Sequence, residues 1–236
     1  MNIVQKTSIV IFIYCNTLSS LCNNLFFNRL PFKKMSIEKR VFLVEQLFEN
    51  LDLEISKFQS KTNLYCKIGC GKCCTNPEIN ASPLEFLPYA FHLYLNGQAE
   101  KVRTELIHKT TSICYVYSPL SIIDKHSGSC NNYKYRGLIC RLFGYGANTD
   151  KYGKLRMSTC SIIKQNQAAN YEKTSIDINN GLDIPIFTDY YMKLSQIDFK
   201  LGNIIIPINK AIEYAIEEVL QYYAYRPMPS GFENCA

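Results

Sequence analysis

The stretch Cys66-Lys-Ile-Gly-Cys70-Gly-Lys-Cys73-Cys74 decides how the rest of the chain is read. It places four thiols within nine residues, two of them adjacent. Buried free cysteines act as small hydrophobes and are common singly, but their packing role gives no reason for such density. A thiolate is a soft anionic ligand for zinc or iron, and four of them complete a tetrahedral zinc site or hold a cubane iron–sulfur cluster. Gly69 and Gly71 flank Cys70 and let the backbone turn tightly around a small centre. Neighbouring Cys73 and Cys74 do not easily face one ion together, so one of them is free for a second metal or for reaction.

The chain carries 11 cysteines in 236 residues. The odd count and the clustering argue against a complete set of intrachain disulfides and for a metal held in a reducing compartment. Cys130 and Cys140 form a second pair, with nine residues between them, able to fold back and complete the coordination. The expected ligands are Cys66, Cys70, Cys73, Cys74, Cys130 and Cys140, with Cys160 a further candidate. This is more sulfur than one tetrahedral ion needs, which favours a multi-iron or binuclear centre over one plain zinc. His126 is the histidine nearest the second pair and could join as a ligand, although a histidine in a turn is more often solvated.

Apolar residues make up 47% of the chain, enough for a buried core, and charged residues 19%. The net charge of +6 is scattered, without a basic run, so nucleic-acid binding is not expected. Ser36 is a plausible N-cap, and Ile37, Val41, Val44, Leu47, Phe48, Leu51, Ile55 and Phe58 follow at helical spacing, predicting a helix over 37–60. Ser82-Pro83-Leu84-Glu85 starts a second helix, which runs to about Leu95, bends at Pro88 and stops at Asn96-Gly97. A helix is expected over about 98–110, a short strand over 113–117, irregular chain over 118–160, and helices over 187–197 and from Ile208 to about Tyr225. The fold class is mainly α, with irregular loops and little strand: a small helical domain organised around a cysteine-ligated metal centre.

Residues 1–34 read as an N-terminal extension or a weak signal-like segment, with Met35 a candidate for the true start. They are too short and too broken by polar residues for a transmembrane helix. The main domain is expected over 35–226 and a tail over 227–236. The location expected is the cytoplasm, where thiols stay reduced.

The second segment reads Cys130-Asn-Asn-Tyr133-Lys-Tyr-Arg136-Gly-Leu-Ile-Cys140-Arg141-Leu-Phe143. Taken with the loop at 66–74, it resembles the YkgJ-type cysteine-cluster family, also described as the CxxCxxCC zinc- or iron-chelating domain. The resemblance covers about residues 60–162. Gly137 stands where the family pattern has proline, and Ser118-Pro119-Leu120 stands where it has Cys-Pro-x-Leu, so one expected sulfur is missing; Cys114 and Cys160 are reserves for it. The resemblance implies metal binding without a defined role. Tyr133, Arg136 and Arg141 are candidates for supporting the thiolates from behind, since guanidinium groups offset clustered negative charge.

Relatives also include part of the flagellin lysine N-methylase, so an S-adenosylmethionine-dependent N-methylase is the alternative, although no glycine-rich loop follows a strand as that cofactor's binding would ask. The first three cysteines match the C-x3-C-x2-C spacing of radical S-adenosylmethionine enzymes, but Lys72 precedes the third where those enzymes prefer an aromatic, and the chain lacks barrel-type strand–helix repeats. A zinc-stabilised interaction module, with unknown protein partners, is the third reading. No Ser-His-Asp or Cys-His arrangement is visible.

Overall fold

A computed structural model describes residues 35–67, 69–120 and 128–229. The N-terminal extension read over 1–34 and most of the tail therefore lie outside the described residues. From Ser36 onward the chain forms one compact unit.

The longest helix, α1 (Ile37–Thr62), begins where Ser36 accepts a hydrogen bond from the Lys39 amide at 3.2 Å. Its predicted apolar stripe is buried from Ile37 to Phe58. Each such side chain contributes about 1.5–3 kcal/mol when removed from water. The helix ends at Asn63, whose left-handed backbone (φ 54°) returns its N–H to the Gln59 carbonyl. The chain then enters the cysteine loop.

A two-residue strand β1 (Asn80–Ala81) leads into a 3-10 turn over Pro83–Phe86 and helix α2 (Leu87–Leu95). The turn carries a full capping box: Ser82 Oγ accepts at the helix start while Glu85 Oε1 accepts from the Ser82 amide at 2.8 Å. The helix start predicted at Ser82 is thus present, with the change from 3-10 to α geometry falling just before Pro88. Gly97, at φ 65°, ends α2, and α3 spans Ala99–His108.

Residues 113–116, expected as strand, instead form a bend against the cysteine loop. The Cys114 amide donates to the Cys74 carbonyl, and the Tyr115 amide to the Asn209 side chain, so no ladder forms there. Strand β2 (Tyr117–Pro119) starts only at Tyr117 and pairs antiparallel with β3 (Gly128–Cys130), setting Tyr117 opposite Cys130. A short helix α4 (Leu138–Leu142) and the hairpin β4 (Ala147–Thr149) and β5 (Leu155–Met157) follow. The stretch expected to be irregular therefore holds two small hairpins and a helical turn.

Helices α5 (Ser161–Asn166) and α6 (Ala168–Asp177) were not predicted. They bury only Ile163 and Thr174, too few to print a periodic stripe in the sequence. Helix α7 (Phe187–Ile197) matches its predicted span; after it come α8 (Phe199–Gly202), β6 (Ile206–Pro207), which pairs with β1, and α9 (Ile208–Tyr223). The fold is mainly helical with little strand, as the sequence implied.

Helix α9 packs against α2, α3 and the 3-10 turn, and α1 packs against α2 and α7, around one large core. A second, small core gathers Phe58, Leu64, Met157, Ile163 and Ile178. The cysteine loop follows Leu64 of the small core, and its last residue, Cys74, packs against the large one.

Candidate metal centre

Gly69 adopts φ +73°, a left-handed backbone that glycine accepts without strain, and its carbonyl takes the Gly128 amide at 2.9 Å. This bond pins the loop to the start of β3. Gly71 serves differently. A Cβ there would meet the Tyr117 ring at 2.3 Å, and a Cβ on Gly128 would meet the same ring at 2.2 Å. Two glycines thus make room for one tyrosine between the loop and the hairpin.

The result is a cavity of about 440 Å³. All eight described cysteines line it: Cys66, Cys70, Cys73, Cys74, Cys114, Cys130, Cys140 and Cys160. All eight are free thiols. The structure thus brings every sequence-nominated cysteine to one place and adds Cys114, held only in reserve by the sequence reading. Ser118 is absent from the wall, whereas Cys114, buried four residues earlier, lines it. Cys15, Cys22, Cys235 and His126 lie outside the described residues. His92 stacks on Tyr135, with ring centroids 4.7 Å apart, and neither it nor His108 lines the cavity. Among the described residues, no three His, Cys, Asp or Glu side chains are drawn closely enough together to hold one ion.

The thiols perturb one another. Cys74 donates to Cys73, which lowers the Cys73 thiol below its ordinary range and raises that of Cys74. Although Cys66 is exposed as a residue, desolvation at its sulfur and the nearby Cys70, Cys73 and Cys160 push its thiol up to about 11. Burial likewise pushes Cys114 up to about 11 and raises Cys130 and Cys140. Desolvated thiols crowded together resist ionising, and a soft cation is the partner that relieves them.

The three supporting candidates separate. Arg136 lines the cavity, and its charge adds to the lowering of the Cys73 thiol and acts against the burial that raises Cys130. Its guanidinium lies 4.1 Å from the Tyr133 ring centroid and bonds the Tyr133 hydroxyl. Its Nε is buried without a hydrogen-bond partner. Tyr133 also lines the cavity. Arg141 does not: it turns toward α1, pairing with Asp52, donating to the Lys134 carbonyl at 2.6 Å and lying 4.5 Å from the Phe48 ring centroid.

Glu85 was read as a helix-start residue only, yet it also positions a ligand candidate. It is fully buried, and its Oε2 accepts from the Ile139 amide at 2.9 Å, at the start of the helix that carries Cys140. Its Oε1 takes the Tyr191 hydroxyl at 2.9 Å. No sequence signal separates this role from ordinary capping, because Ile139 lies 54 residues away.

The residues fit a thiophilic metal group. They supply eight free thiols, cations at Lys67, Lys72 and Arg136, and an orphan donor in the wall. Fold and site together define a small helical protein built around a thiol-lined cavity. Residues 65–161 match the family model CxxCxxCC, described as "Putative zinc- or iron-chelating domain". No curated protein and no solved structure matches the chain.

Proposed function

We propose that this protein binds a thiolate-ligated centre of more than one metal ion, an iron–sulfur cluster before zinc. The observation that carries the reading is the convergence of all eight described cysteines on one cavity. The ligands are Cys66, Cys70, Cys73, Cys74, Cys130, Cys140 and Cys160, joined by Cys114. One tetrahedral zinc takes four sulfurs, so half of this set would be idle around a single ion. Arg136 and Tyr133 support the thiolates, with Arg136 offsetting their charge. When bound, an iron–sulfur centre supplies one-electron chemistry tuned by its hydrogen bonds and its exposure to solvent. Eight free thiols belong in a reducing compartment, which makes the cytoplasm the expected location.

Anaerobic purification of the full chain tests this reading. Brown protein with iron and acid-labile sulfide is the expected result, and the double variant Cys70→Ser, Cys73→Ser should lose at least half of both. If neither iron nor zinc copurifies or can be reconstituted, and the double variant behaves as the wild type, the reading fails.

A further inference from the structure

We propose that the cavity is divided into two four-thiolate metal sites, an inner one on Cys74, Cys114, Cys130 and Cys140 and an outer one on Cys66, Cys70, Cys73 and Cys160. The inference rests on the thiolate centre proposed above and goes beyond it by assigning each sulfur to one of two separate centres. Eight thiols are twice what a tetrahedral zinc or a cubane cluster takes.

Packing makes the division. Cys114 belongs to the large core, and Cys74, Cys130 and Cys140 pack against it. Cys160 packs instead against the small core around Phe58 and Ile163. Cys66 and Cys73 are exposed, and with Cys70 they join neither core.

Each set is also assembled by its own hydrogen bonds. On the inner side the Cys114 amide donates to the Cys74 carbonyl at 3.2 Å, and the Asn131 amide, next to Cys130, donates to the Val116 carbonyl at 2.9 Å. Glu85 holds the helix start beside Cys140. On the outer side the Cys66 amide donates to the Tyr145 hydroxyl at 2.7 Å, and the Gly144 amide, next to Tyr145, to the Ser158 carbonyl at 2.7 Å. Lys72 Nζ reaches Ser161 Oγ at 3.5 Å, drawing the loop toward the residue after Cys160.

The adjacent pair is the seam. Two neighbouring residues rarely turn both side chains to one ion without strain, whereas one sulfur to each side uses both. Cys74 packs against the large core, whereas Cys73 is exposed and joins neither core. The ligands class the occupants as thiophilic divalent ions or four-iron clusters. Each metal–sulfur bond that forms replaces an S–H bond, whose proton passes to solvent.

Cobalt titration of the reduced, metal-free full chain under anaerobic conditions reads the number of sites through thiolate-to-cobalt charge-transfer absorption. The wild type should saturate at two equivalents of Co²⁺. Cys114→Ser with Cys140→Ser, and separately Cys66→Ser with Cys160→Ser, should each retain one equivalent and about half the absorbance. The retained site reports that each variant is folded. Saturation of the wild type at one equivalent overturns the division and the count of more than one ion, leaving only thiolate binding of a metal standing. Loss of both equivalents in either variant, with helicity retained by circular dichroism, marks one undivided centre and also overturns it. No binding by the wild type removes both readings.

Discussion

At the scale of single residues, Glu85 carries the sharpest consequences. Burial raises its carboxyl from 4.5 to about 7, against hydrogen bonds from the Ser82 and Ile139 amides and the Tyr191 hydroxyl that act to lower it. The folded value lies above the unfolded one, so between these pH values the folded chain holds a proton that the unfolded chain has lost. The stability linked to this proton is fully present below about pH 4.5 and falls away as pH rises through about 7. Denaturant unfolding at pH 4.5 and pH 8, with chelator and reductant, should show the wild type losing roughly 2–4 kcal/mol more than Glu85→Gln across this range. Parallel pH curves for the two proteins would refute the linkage. Arg141 gives a second prediction. It is 6% exposed and its partner Asp52 is half-exposed, so the ion pair itself contributes modestly, while two backbone carbonyls and the Phe48 ring depend on the guanidinium. Arg141→Ala should lower stability by roughly 1–3 kcal/mol with no loss of bound metal per folded chain, read by denaturation and by elemental analysis of the folded fraction.

At the scale of the element, helix α4 is five residues long and cannot stand by itself. Its place comes from Glu85 at its start and from close contact at Gly137. The backbone of Gly137, at φ −66°, suits the proline of the family pattern. A Cβ there, however, would lie 2.8 Å from both Glu85 Oε2 and Phe86 Cζ. Both neighbours are buried and have no free path to move aside. Gly137→Ala should therefore cost about 1–3 kcal/mol through overpacking and misplace Cys140. The check is thermal unfolding together with metal content, and an unchanged melting temperature would show that the wall yields. The glycine is thus explained by side-chain crowding, with no demand on backbone freedom.

At the scale of the whole molecule, one buried ion network ties distant parts of the chain. Arg40 is fully buried inside the apolar face of α1 and meets Asp198 at 2.7 Å and Glu218 at 3.1 Å. Asp198 also caps α8 through the Leu201 amide at 3.0 Å. Three helices therefore share one charge cluster, and removing its centre takes the counter-charge from two mostly buried carboxylates. Arg40→Ala should cost about 3–5 kcal/mol. None of these three residues lines the cysteine cavity, so the variant that still folds should keep the wild-type metal stoichiometry. A loss below 1 kcal/mol in denaturant unfolding would show the network to be replaceable by water. Among the described residues no helix is long and apolar enough to cross a membrane.

Much of this was legible in one dimension because its cause is local. The stripe of α1, its Ser36 cap, the Ser82–Glu85 start and the stop at Gly97 all depend on residues within a few positions of one another. The thiols of the cysteine loop announce their chemistry by density alone. What stayed hidden depends on contacts across the fold. The bend at 113–116 forms because Cys74 and Asn209 take its amides, and α5 and α6 bury too little to show a pattern. Arg141 stands beside Cys140 in sequence yet turns to Asp52, because α1 lies behind it. Thiol density along the chain is enough to imply that many thiols gather and what class of ion they suit, since ligand softness belongs to the side chain. That eight of them share one cavity, and that its two sides rest on different cores, follows from packing alone, because burial and neighbourhood are properties of the packed chain.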